Sequence, residues 1–317
     1  MSDHDEDGHA VSATIGRDEA AWHFESKGNH RNFGFAYDPT IDCPLKIGVS
    51  TGAYISTVSS QSALVIIDMQ NYFLSDAMGR ARGAGHVAAE NLIRYAIPAA
   101  RKAGIRIVWL NWGLTDEDME TMPPAVSRCF GFVGRAGHHL DQHVVLDRHG
   151  FLRTDRTYGG LGSEMGRVTI SAAEGGPKEM DAGRLLYRGS WNAALFPPLA
   201  PHYRPGEGDA WIHKNRMSGM WGSDSLLQKY LQHNRLTTLF FGGVNTDQCV
   251  GSTLMDAFSL GYNCILLKDG CGTTSPQYAH DAWEFNCENS FGFVTTCQSL
   301  WEAVSHQLSR DGSSQPS

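Results

Sequence analysis

An aspartate, Asp68, closes the apolar run ALVIID, and a lysine, Lys214, closes AWIHK. A cysteine, Cys249, follows LFFGGV where a strand-like run gives way to a helix-like pattern. Together a carboxylate, an ammonium and a thiol are the parts of nucleophilic catalysis: one group to take a proton, one to fix the charge, one to attack. Singly, each has an ordinary explanation. Asp68 would serve as a helix or turn cap, Lys214 as a surface lysine, and Cys249 as a small buried apolar residue. Cys249 makes the strongest case for chemistry. In the first turn of a helix running from Thr246 its sulfur would feel the positive helix end, and the Lys214 ammonium would add to that field; both lower a thiol pKa.

Those three residues meet only if the elements bearing them lie side by side. ALVIIDMQ (63–70) has the length and β-branched content of a strand buried on both faces, and a helical stretch from Gly85 to Ala103, closed by Gly104, leads to a second such run, IRIVWLNW. The alternation returns with DAWIHKN, SDSLLQKYLQHN, TTLFFGGV, a helix from Thr246 to Leu260, NCILLKDG, a helix from Pro276 to Asn289, FGFVTT and SLWEAVSHQL. Strand alternating with helix predicts a three-layer α/β/α domain with a mostly parallel central sheet. In such a sheet ligands bind where strands end, so residues closing apolar runs are the first candidates. The domain is expected over 62–306, with an insertion at about 115–208, rich in Gly, Pro, Arg and His, that breaks the rhythm. Residues 21–61 read as an extension packed on the domain. Polar stretches at 1–20 and 307–317 are expected to be disordered tails.

Lys plus Arg number 26 against 34 Asp plus Glu in 317 residues, a net charge of -8 without the basic excess that nucleic acid binding requires. No apolar run approaches the ~20 residues that span a bilayer, and the acidic start MSDHDEDGHA is unlike a signal peptide. A cytoplasmic protein is expected, whose partner is a small-molecule substrate, with neither nucleic acid nor membrane. The seven cysteines form no CxxC pair and are expected to be mostly free thiols.

With these residues in view, the chain resembles the cysteine hydrolases of the isochorismatase-like superfamily. The resemblance covers roughly residues 62–306 and rests on DMQNYF (68–73), on the lysine of IHKNRMSG, and on GGVNTDQCV, which is similar to that family's GVxTxxCV segment. It implies a catalytic triad of Asp68, Lys214 and Cys249. It also implies a cis peptide between Val244 and Asn245, and an oxyanion hole made by the backbone N–H groups of Asn245 and Cys249. Relatives often form homo-oligomers, so a dimer or tetramer is expected.

What the chain lacks separates the branches of that family. Nicotinamidase-like members carry Asp-x-His after the second strand; here the segment reads WLNWGL, so no metal and no cofactor are expected. Isochorismatases proper commonly lack the cysteine, and its presence favours carbon–nitrogen hydrolysis through a thioester. RGSWNAAL, KNRMSGMWGSDSL and FNCENSFGFV resemble segments of the ureidoacrylate amidohydrolase and N-carbamoyl amidase branch, except that Met217 stands where that branch would have tyrosine. Because methionine donates no hydrogen bond, a related but less polar substrate is implied. The pocket wall is expected to include Tyr72, Asn111, Trp112, Trp191 and Met217. Alternatives are a vinyl ether hydrolase of isochorismatase type and a catalytically idle binding protein of the same fold. His139 and His143 have helical spacing but no HExxH glutamate, and Cys264 and Cys271 flank a strand as packing residues would.

Overall fold

In the computed structural model, the residues described are 9–35, 44–137, 142–171 and 176–313. Six strands form the central sheet: β6 (Ser62–Ile67), β7 (Arg106–Trp112), β12 (Ala210–Lys214), β13 (Thr238–Val244), β14 (Asn263–Gly272) and β15 (Phe293–Thr295). Their order is β12-β7-β6-β13-β14-β15, and every neighbouring pair is parallel. This is the expected layered arrangement. Residue alternation along β6 divides the core: Ala63, Val65 and Ile67 join one apolar cluster, Leu64 and Ile66 the other. Because both faces of a parallel sheet are covered, the strand reads as one continuous apolar run in the sequence.

Helices supply the covering layers. In chain order they are α1 (Asn71–Leu74), α2 (Ala84–Asn91), α3 (Ile97–Ala103), α4 (Asp116–Glu120), α5 (Pro124–Cys129), α6 (Leu226–His233), α7 (Gly251–Ser259), α8 (Gln277–Asn286) and α9 (Cys297–Ser313). Leu227 and Leu231 of α6 and Leu254 and Ala257 of α7 bury against the face of Val65, whereas α2, α3 and α9 cover the face of Ile66. Between α2 and α3 one wider turn, Leu92–Ala96, keeps the axis continuous, and Gly104 ends the run at φ 72°. No helix among the described residues is long and apolar enough to cross a membrane.

The amino-terminal segment is a second sheet. Strands β1 (Val11–Ile15), β2 (Trp22–Lys27), β3 (His30–Phe35), β4 (Leu45–Gly48) and β5 (Tyr54–Thr57) run in the order β1-β2-β3-β5-β4. It is fastened to the far end of the central sheet. The Trp22 indole N–H donates to Asn263 Oδ1 at 2.7 Å, the Thr295 hydroxyl donates to Gly48 O at 2.7 Å, and Trp22, Phe33 and Phe35 all stack on Phe293. The expected tails are corrected at both ends. Val11–Ile15 pairs through its backbone with Trp22–Ser26, which its polar composition hides, and α9 runs past residue 307 to Ser313.

The stretch between β7 and β12 carries two antiparallel hairpins, β8 (Phe132–Ala136) with β9 (Gln142–Leu146), and β10 (Arg167–Ser171) with β11 (Pro177–Asp181). His139 lies outside the described residues; His143 is exposed on β9, opposite Arg135.

Candidate active site

Asp68, Lys214 and Cys249 come from β6, β12 and the turn after β13, and the sheet order brings their ends together. Asp68 takes the left-handed conformation, φ 53°, directly after β6. Its backbone N–H donates to Leu110 O at 2.9 Å, and Oδ1 accepts the Trp112 backbone N–H at 3.1 Å, so the carboxylate is anchored to β7. Gln70 braces the same turn, its amide donating to Trp112 O at 2.8 Å and Ala193 O at 2.7 Å.

Lys214 stands between the other two groups. Its ammonium lies 3.0 Å from Asp68 Oδ2 and 3.3 Å from Cys249 Sγ, and it donates to the carbonyls of Arg216 and Met217 at 3.0 Å each. The Trp112 ring lies under it, 4.1 Å from nitrogen to centroid. Four partners and an aromatic floor hold a buried cation at one point; such a charge tolerates burial only when paired.

Cys249 lies in the turn Thr246–Val250, which leads into α7. The turn is wound wide, with the Val250 N–H reaching back five residues to Asn245 O at 3.1 Å. The peptide between Val244 and Asn245 is cis. Immediately before it Gly243 adopts φ 121°, and a side chain there would meet Ile67 O at 2.1 Å, so β13 can lie this close to β6 only with glycine.

One expectation about the thiol is overturned. Burial, reinforced by the Asp68 charge, pushes the Cys249 pKa up to about 12, and Lys214 only partly offsets this. Cys249 is 4% exposed, and desolvation outweighs the Lys214 ammonium. Asp68 is raised as well, again by burial, against the lowering effects of Lys214 and of a hydrogen bond from the Cys249 thiol. At rest, therefore, the thiol is protonated and lies beside the Asp68 carboxyl group.

A cavity of about 880 Å³ opens over the sulfur, with Cys249, Asn245, Met217 and Tyr72 in its wall. Met217 Sδ lies 3.4 Å from Cys249 Sγ. Three of the expected wall residues stand elsewhere. Trp112 is fully buried beneath the ammonium, and strand alternation turns Asn111 to the face of Trp109, where its amide finds no hydrogen-bond partner among the described residues. Trp191 packs at the edge of the core and its carbonyl accepts from Asn71 at 2.8 Å. Missed by sequence reasoning are Arg80, from the loop after α1, and the run 147–158 beyond β9, whose Arg156 and Tyr158 border the same cavity. No periodicity marks such residues; only their arginine content signals them.

The isochorismatase domain family model matches residues 164–299. The ureidoacrylate amidohydrolase RutB of Klebsiella pneumoniae subsp. pneumoniae is 30% identical over 256 residues, covering 79% of this chain and 90% of that protein. RutB of Klebsiella variicola is 31% identical over 250 residues, covering 77% and 87%. Among solved structures, a cysteine hydrolase from Pseudomonas syringae pv. phaseolicola superposes with a TM-score of 0.52 at 16% identity, covering 78% of this chain and 94% of that one. The chain belongs to the isochorismatase-like hydrolase family. For this isochorismatase-like hydrolase the family match begins at residue 164, so hairpin β8–β9 and the arginine-bearing run after it lie before the matched segment.

Proposed function

We propose that this hydrolase is a cysteine-dependent amidohydrolase, cleaving the C–N bond of a small ureido, carbamoyl or amide substrate through a thioester. The observation that carries the reading is the single buried ammonium within 3.0 Å of the Asp68 carboxylate and 3.3 Å of the Cys249 sulfur at the foot of a cavity. The relatives named as ureidoacrylate amidohydrolases support the C–N bond as the target.

In the first half-reaction Asp68 takes the thiol proton as sulfur attacks the carbonyl carbon, so no free thiolate accumulates beforehand. Backbone N–H groups of Asn245 and Cys249 receive the oxyanion. Collapse of the tetrahedral species breaks the C–N bond, and Asp68 returns its proton to the leaving nitrogen. Water then enters, gives its proton to the same carboxylate, and cleaves the thioester; the thiol regains the proton. Lys214 stays charged throughout and offsets whichever neighbour carries the negative charge.

Ammonia release from a panel of ureido acids, carbamoyl amino acids and simple amides tests the proposal, with intact-mass trapping of an acyl adduct mapped to Cys249. Cys129 also borders the cavity, so the mapping must separate the two thiols. Turnover of a vinyl ether that survives Cys249→Ala but not Asp68→Ala would instead favour the isochorismatase-type reading without covalent catalysis.

A further inference from the structure

The cavity is layered, and its layers can be followed outward through contacts. The Trp112 ring beneath the Lys214 ammonium meets the Phe130 ring edge-on at 5.2 Å, and Tyr72, in the cavity wall, follows Phe130 at 6.3 Å. Two guanidinium groups close this aromatic belt. Arg80 lies 5.1 Å over the Tyr72 ring and donates to Tyr72 O at 3.0 Å. Arg156 donates to Phe130 O at 3.3 Å and lies 4.9 Å over the Tyr158 ring. Gly131, at φ 90°, makes room for Arg156: a side chain there would come within 2.6 Å of its Nη2.

Neither arginine is spent on the protein's own acids. Among the described residues, Arg80 and Arg156 form no ion pair with a carboxylate. Of the two acids bordering the cavity, Asp155 is held by Arg153, and Asp147 accepts the backbone N–H groups of His149 and Phe151 at 2.8 and 2.9 Å. Arg156 adds a weaker, through-space attraction to Asp155. Its Nε is buried without a hydrogen-bond partner. A guanidinium half-buried beside aromatic rings with an unused N–H is a carboxylate receptor, since a planar anion satisfies the donors and the charge together.

We infer that this site takes its own substrate class: a ureido or acylamino compound whose body is apolar and whose far end carries a carboxylate, bound by Arg156 of the insertion and Arg80 of the loop after α1. The inference rests on the amidohydrolase reading. It reconciles two observations that point apart, for Met217 beside the sulfur favours an apolar body while the outer arginines require an anion. The size of the cavity, about 880 Å³, agrees with a body larger than a two- or three-carbon acid.

Calorimetric binding to the Cys249→Ala variant separates this proposal from the reaction itself. The three probes are 4-(ureidomethyl)benzoate, benzylurea, which lacks the carboxylate, and ureidoacetate, which lacks the ring. The first should bind about ten- to hundredfold more tightly than either of the others, the span of one or two charge-assisted hydrogen bonds. Arg156→Gln or Arg80→Gln should shrink its advantage over benzylurea, Arg156→Lys should restore part of it, and added salt should weaken it. Equal binding of benzylurea and the benzoate, or an advantage that survives both glutamine substitutions, overturns the proposal. In the unsubstituted enzyme, tight binding without ammonia release would sink the amidohydrolase reading and leave the carboxylate receptor standing.

Discussion

At the scale of single residues, the site is governed by a competition between burial and pairing. Asp68 and Lys214 have side chains 0% and 1% exposed, and their attraction is what makes two buried charges tolerable. Lys214→Met should therefore destabilise the fold by about 3–5 kcal/mol in urea denaturation, and adding Asp68→Asn should recover part of that loss, a non-additivity that an independent pair would not show. Cys249→Ala and Asp68→Asn should each lower kcat/KM by at least about a thousandfold, since the proposed mechanism has both groups act in the same proton transfer. The pH dependence follows from the sign of the Asp68 shift. The carboxylate must be ionised to accept the thiol proton, and burial raises its pKa above the ordinary 3.8. As pH falls, Asp68 is protonated early, so the acid limb of kcat/KM should lie above 3.8; a midpoint at or below it would contradict the assignment.

At the scale of elements, β13 and its turn show why some of the site was legible and some was not. The strand ends bearing Asp68, Lys214 and Cys249 could be read because strands buried on both faces give continuous apolar runs whose polar termini stand out. The expectation of Asn111 and Trp112 as wall residues fails because successive side chains on β7 point to opposite faces and Trp112 lies under the ammonium. The raised thiol pKa was equally illegible, since burial depends on neighbours far away in the chain. Gly243 offers a test at this scale. Gly243→Ala should collapse activity and lower the unfolding temperature, because the added carbon meets Ile67 O at 2.1 Å. Gly189→Ala, also at positive φ (79°) but with open space around it, should cost only about 1–2 kcal/mol. Similar thermal shifts for the two would argue against the close approach of β13 to β6.

At the scale of the whole molecule, two parts flank the central sheet: the amino-terminal sheet on the β15 side and the stretch between β7 and β12, which borders the cavity. The first is held largely through Trp22, which bonds Asn263 and stacks on Phe35 and Phe293. Trp22→Ala should lower stability by up to about 3 kcal/mol in thermal unfolding while leaving KM unchanged, because the contacts it loses lie away from the cavity. A raised KM would tie the sheet to substrate binding. The strand pairing of this segment is not legible in the sequence, because backbone hydrogen bonds leave little trace in composition.

A thiol that rests protonated in a walled recess, as the proposed nucleophile does, is chemically quiet until something fits beside it. Peroxide attacks thiolates, and Cys249 rests without the charge. The resting enzyme should therefore withstand oxidative stress that silences exposed-thiolate hydrolases, with Cys129 the first of the described cysteines to record the insult.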